Sequence, residues 1–170
     1  VPFYYLSGNH DEHVLLDKYL SLAPFKKDKL INEQYWQIAL LNSKSDTPKG
    51  HVSANDLLAF ESSVDKHKHQ LVLMHHHPLD VGYFIDKHGL DNQAMFWQTM
   101  NKFDTIKAVA CGHVHQDLTL YSDGETSIPL YTCPATSIQF DTTKSSGASN
   151  GESAGYRIFS LMPDGDIQAY

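Results

Sequence analysis

Apolar residues in this chain gather in short runs, and the period of the runs changes along the sequence. Phe3-Tyr4-Tyr5-Leu6 reads as a buried strand entered directly from Val1-Pro2. Val14, Leu15, Tyr19 and Leu22 recur at helical intervals and predict a helix over residues 12–21, closed by Pro24. Residues 34–41 are rich in β-formers and predict a strand. After a polar loop carrying Asp46, Pro48 and Gly50, Ser53 with Asp56 three residues on marks a helix N-cap. That helix carries Leu57, Leu58, Phe60 and Val64 and is expected to end near residues 66–69. His67 and His69 would then lie at a helix C-terminus, where cations suit the dipole. Residues 70–74 are an apolar run too short for anything but a strand.

The second half continues the alternation. Residues 79–90 have loop character, with Tyr83, Phe84 and Ile85 suited either to a pocket wall or to packing over the core. Met95, Phe96, Met100 and Phe103 form a core-facing helical stripe within 91–103, with Asp91 as N-cap. Residues 106–111 read as a strand, and 117–121 and 128–131 as a strand pair around an Asp123-Gly124 turn. Residues 136–140 suit a short strand or a cleft wall, and the Ser/Gly/Thr/Asn-rich segment 142–155 a mobile loop. Residues 156–162 and 167–170 form a terminal hairpin around Pro163-Asp164-Gly165. Strand–helix–strand units followed by a β-rich end define an α/β fold, with no internal repeat.

Composition narrows the function. A length of 170 residues supports one domain with a real core. The net charge of −7 weighs against nucleic acid and the membrane surface as general partners. An anionic substrate stays open, because a bound metal reverses the local field. Cys111 and Cys133 form neither a staple pattern nor a C-x-x-C site, which points to a reducing, cytoplasmic setting. Neither has a local Cys–His arrangement that would make it a nucleophile. No stretch has the length and apolarity of a membrane span, and no signal-peptide pattern is present.

Of the 11 histidines, five lie in two runs, and both runs follow predicted strands. Gly112-His113-Val114-His115 can aim two imidazoles into one pocket if the glycine lets the chain bend. His75-His76-His77-Pro78 follows the strand 70–74. Extended alternation allows at most two of its rings to share a pocket, or the middle one to face it alone. Gly8-Asn9-His10-Asp11 is the third such stretch. Asn9 offers an amide oxygen, His10 a proton or a charged donor, and Asp11 a carboxylate that could hold the His10 ring. The same tetrapeptide also fits an Asx-turn cap with no chemistry. His51 reads as a solvated loop residue rather than a ligand, and His88 is too isolated to single out.

Gly8-Asn9-His10-Asp11, His76 two residues before Pro78, and Gly112-His113-Val114-His115 together resemble the motifs of calcineurin-like metallophosphoesterases. Their order and strand-end placement make the set specific. The run from His75 to Leu79, the segment 136–140 and the terminal hairpin look most like bacterial 3',5'-cyclic AMP phosphodiesterases. The resemblance implies the C-terminal portion of a four-layer α/β/β/α sandwich carrying two metal ions drawn from iron, manganese and zinc. It implies Asn9, His76 and His113 as ligands of one metal, and His115 as a ligand of the other. His10 would act on the phosphate and leaving oxygen, with Asp11 orienting it. His75 and His77 would be neighbours of the site.

The family opens with an Asp-x-His and then a Gly-Asp motif, which supply the bridging aspartate and most ligands of the first metal. No Asp-x-His precedes Gly8. The expectation is therefore one N-terminally incomplete domain over residues 1–170, inactive by itself. Its sheet edges would be open to a partner, a second copy of the chain included. The implied substrate is a small anionic phosphodiester, cyclic AMP first, hydrolysed to 5'-AMP. The alternatives are a phosphoesterase acting on another diester or monoester, and a non-catalytic histidine-rich metal-binding or structural module.

Overall fold

A computed structural model describes residues 1–123 and 127–170. Its centre is a six-stranded mixed sheet. The strands are β3 (Leu30–Asn32), β4 (Trp36–Leu40), β5 (His69–Met74), β6 (Ile106–Cys111), β7 (Thr119–Tyr121) and β8 (Pro129–Thr132), in the order β3-β4-β5-β6-β8-β7. The four central strands β4, β5, β6 and β8 run parallel, and the outer two are antiparallel to their neighbours. Parallel neighbours need crossovers, and the chain supplies helices for two of them. Helix α2 (Ala54–Ser63) lies between β4 and β5. A short 3₁₀ helix (Phe84–His88) and α3 (Gln93–Met100) lie between β5 and β6.

The central strands read as continuous apolar runs because both of their faces are buried. Alternation sends Val72, Met74, Val109, Cys111 and Leu130 to one face, where they meet Leu57 and Phe60 of α2 and Phe96, Trp97 and Met100 of α3. Trp36, Leu71, Ala108 and Ala110 point the other way. They are covered by Phe159, Leu161 and Ile167 of an antiparallel hairpin, β9 (Phe159–Leu161) and β10 (Ile167–Ala169). The indole of Trp36 donates to the Met162 carbonyl at 2.8 Å and pins the hairpin to the sheet. Helices, mixed sheet and hairpin thus stack as the expected α/β architecture.

Most predicted elements are present, with four corrections. The first strand, β1 (Phe3–Tyr4), pairs only with β2 (Phe25–Lys26) and is exposed rather than buried. Helix α1 (His13–Tyr19) likewise buries no residue, so its apolar positions do not face the core. Helix α2 starts as expected: Ser53 accepts the Asp56 N–H at 3.0 Å. It ends at Ser63, however, and leaves Leu58 exposed. His67 therefore sits in a turn and His69 opens β5. The residue before α3 is Asn92, not Asp91, whose carboxylate instead takes the exposed His51 ring at 2.7 Å; Met95 of that helix is exposed. The predicted Asp123-Gly124 turn falls partly outside the described residues.

Candidate metal centre

Parallel strands deliver their carboxyl ends to one edge of the sheet, and the three histidine-bearing stretches meet there. A cavity of about 900 Å³ opens at that edge. Its floor holds Asn9, His75, His113 and His115. Phe84, Ile85, Ile138 and Phe140 supply apolar wall, and Lys44 is the one Lys or Arg side chain among its described lining residues. The segments around 84 and 138 are therefore pocket wall, one of the two roles the sequence left open for each.

The polar groups converge closely. His75 Nε2 lies 3.0 Å from Asn9 Oδ1 and 3.1 Å from His113 Nδ1. A ligating nitrogen from each of His75, His76 and His113 falls within 4.8 Å of the others. The rings of all three triplet histidines surround His113, at centroid distances of 4.9, 4.7 and 5.7 Å for His75, His76 and His77. Burial makes protonation unfavourable. Desolvation holds the His75 ring down to about 4 against the opposing charge of Asp11, while His76 is held to about 3 and His113 to about 2 by desolvation and then by the neighbouring imidazoles. Neutral imidazoles keep lone pairs for a cation. His76 Nε2 and His113 Nε2 are buried with no hydrogen-bond partner. Clustered imidazole nitrogens beside an amide oxygen, with buried nitrogens unpaired, fit a transition-metal ion.

Each predicted residue has a definite place. Asn9 is half-buried against His75. His10 is exposed on the cavity wall. The Asp11 carboxylate accepts the Gly8 N–H at 2.7 Å, and no hydrogen bond among the described residues joins it to His10. Asp11 thus closes the tight turn that presents Asn9, its side chain reaching three residues back rather than two residues on as in an Asx-turn, and α1 has Glu12 at its N-cap with no side-chain cap bond. His113 is buried and central. His115 stands apart from the three-histidine group. Its Nδ1–H donates to the Ile138 carbonyl at 2.8 Å, which leaves Nε2 as the lone-pair nitrogen, and its ring stacks on Phe140 at 4.0 Å.

The triplet departs from strict alternation. Strand β5 ends at Met74 and the chain bends at once, so His75 faces the cavity while His76 and His77 turn inward and are fully buried. His76 belongs to the three-histidine group, and its Nδ1 meets Ser43 Oγ at 2.9 Å. His77 is held from behind by Asp86, at 3.2 Å. The bend was not legible in three identical residues. A proline directly after them was the available sign that extended geometry stops there.

Among the described residues two non-glycine residues adopt positive φ, His113 at 65° and His115 at 54°. Side chains tolerate this left-handed region at a cost of roughly 1–2 kcal/mol each. The conformation turns both imidazoles of the G-H-V-H stretch toward the cavity while Val114 between them is fully buried.

Known proteins are similar to this chain in sequence. The model of the calcineurin-like phosphoesterase family matches residues 1–117. A probable cyclic nucleotide phosphodiesterase of Colwellia psychrerythraea is 55% identical, over 98% of this chain and 65% of its own length. The 3',5'-cyclic adenosine monophosphate phosphodiesterases CpdA of Vibrio vulnificus and Escherichia coli are 32% and 34% identical. They match 96% and 98% of this chain and 61% of their own lengths. The chain thus spans 61–65% of the length of these relatives. Fold, clustered histidines and these likenesses agree: the chain belongs to the calcineurin-like phosphoesterase family.

Proposed function

We propose that the full-length protein is a metal-dependent phosphodiesterase that converts cyclic 3',5'-AMP to 5'-AMP in the cytoplasm. The observation that carries this reading is the convergence of Asn9 Oδ1, His75 Nε2 and His113 Nδ1, at 3.0 and 3.1 Å, on the floor of a cavity of nucleotide size. The names of the Vibrio and Escherichia relatives support cyclic AMP as the substrate to test first.

In this reading the domain is one unit over residues 1–170. Asn9, His113 and a triplet histidine hold one ion, and His115 contributes to a second. His76 is the choice by distance from Pro78. His75 is favoured by its exposure to the cavity and its contact with both Asn9 and His113. Two ions drawn from iron, manganese and zinc would supply an activated water and neutralise phosphoryl charge. The chain's own residues do the rest. The Ile138 carbonyl fixes the His115 tautomer, and Asp11 fixes the turn that presents Asn9. His10, exposed on the wall, donates a proton to the departing ribose oxygen. Lys44 lies on the same wall and attracts the anionic diester.

Turnover assays of the full-length protein with added Mn²⁺, against cyclic AMP and unrelated diesters and monoesters, test the proposal. Metal-dependent release of 5'-AMP is expected. Absence of turnover on every phosphoester would sink the enzyme reading, and one tightly held tetrahedral zinc would favour a structural module. Mass measurement in solution checks whether a second copy of the chain is a partner.

A further inference from the structure

Both histidines of the G-H-V-H turn stand in a backbone conformation that side chains rarely adopt, and a connected set of hydrogen bonds reaches the residue between them. Val114, fully buried between them, donates its N–H to the Gly112 carbonyl at 2.7 Å. Its own carbonyl accepts the hydroxyl of Tyr83. Tyr83 belongs to the loop after the triplet, and a single carboxylate ties that loop down. Asp86 Oδ1 accepts the Val81 N–H at 2.8 Å, and Oδ2 accepts the Gly82 N–H at 2.8 Å. Gly82, at φ +89°, supplies the backbone freedom this loop needs. Asp86 Oδ1 also takes the His77 Nε2–H at 3.2 Å, and the His77 ring stacks on His113 at an interplanar angle of 24°.

Two arms therefore leave Asp86 and end on one turn. One runs through Tyr83 to the Val114 carbonyl, the other through His77 to the His113 ring. We propose that Tyr83 and Asp86 are positioning residues that fix the His113-Val114-His115 turn in its metal-binding geometry. The proposal rests on reading His113 and His115 as ligands. Neither Tyr83 nor Asp86 lines the cavity, so neither is expected to touch substrate. The Val114 carbonyl is the lever. A peptide whose buried oxygen has lost its donor gains by rotating toward another. Rotation of the 114–115 peptide would release His115 from its left-handed conformation and pull its ring off Ile138 and Phe140.

Tyr83→Phe in the full-length protein removes one oxygen and keeps the ring packed. Calorimetric titration with Mn²⁺ should show affinity weakened about 10-fold or more. Hydrogen exchange of the Val114 amide should quicken, while that of Val72 and Val109 in the central strands stays as in the wild type. Asp86→Asn should weaken Mn²⁺ binding in the same direction, and Tyr156→Phe, at an exposed site, should do neither. Mn²⁺ affinity of Tyr83→Phe within twofold of wild type would overturn the proposal, whatever the exchange result. Wild-type protein that takes up no Mn²⁺ would instead overturn the metal reading beneath it.

Discussion

Single residues decide what the cavity can hold. His113 is enclosed by three other imidazoles, so its removal relieves crowding while deleting a proposed ligand. His113→Ala and His75→Ala in the full-length protein are expected to cut metal affinity and turnover by about 100-fold or more, with the melting temperature largely retained. Equilibrium dialysis with metal analysis, beside thermal melts, checks this. The same burial makes the metal-free protein acid-sensitive. His75, His76 and His113 resist protonation down to about 4, 3 and 2, whereas an unfolded chain protonates its histidines near 6.5. Below 6.5 the unfolded state binds more protons, so stability falls as pH drops from about 6.5 toward 4, and these groups contribute no slope above that window. Urea melts of metal-free protein across that range should show it; a flat profile would contradict the neutral, desolvated state of the cluster. Which triplet histidine meets the cavity was the least legible point in the sequence. The family resemblance, through the spacing to Pro78, named His76; His75 faces the cavity and His76 lies buried in the same three-histidine group, because the bend after Met74 is a tertiary event that three identical residues cannot encode.

At the scale of elements, the sheet was readable and the periphery was not. Runs such as Leu71-Val72-Leu73-Met74 declare central strands because they are apolar on both faces. Phe3-Tyr4 and the apolar positions of α1 carry the same local signal yet lie exposed, since periodicity reports what a segment could bury and not whether a neighbour is there. The loop before α2 was read only as polar, but its backbone is fitted against the site. A Cβ added at Gly50 would lie 2.4 Å from His76 Cγ. Gly50→Ala should therefore push the His76 ring and cost roughly 1–3 kcal/mol in chemical denaturation. Gly151→Ala meets no atom within 4 Å, but its φ of +87° makes that change a test of backbone strain alone. Gly50 is not among the positive-φ glycines, so a loss there reports space, and stability unchanged by Gly50→Ala would contradict the close fit against His76. Within the core, Phe96→Ala should cost about 3–5 kcal/mol, since the ring is fully buried between α3 and the sheet.

Across the whole molecule, one sheet separates two cores of different size. Among the described residues, seventeen buried hydrophobic residues stand on the helix side and four on the hairpin side, so the hairpin is the weaker layer. Trp36→Phe, which keeps an aromatic ring but deletes the bond to Met162, should lower stability by about 1 kcal/mol. It should also free the hairpin amides to exchange before those of β5 and β6. The two tryptophans of the chain fall on opposite sides of this partition: Trp36 under the hairpin, Trp97 in α3 against the helix-side core. The molecule therefore carries a built-in pair of optical reporters. With Trp97→Phe the remaining emission follows the hairpin layer, and with Trp36→Phe it follows the helical layer. A red shift of Trp36 emission at lower denaturant than that of Trp97 would time the two layers separately, without attaching a dye.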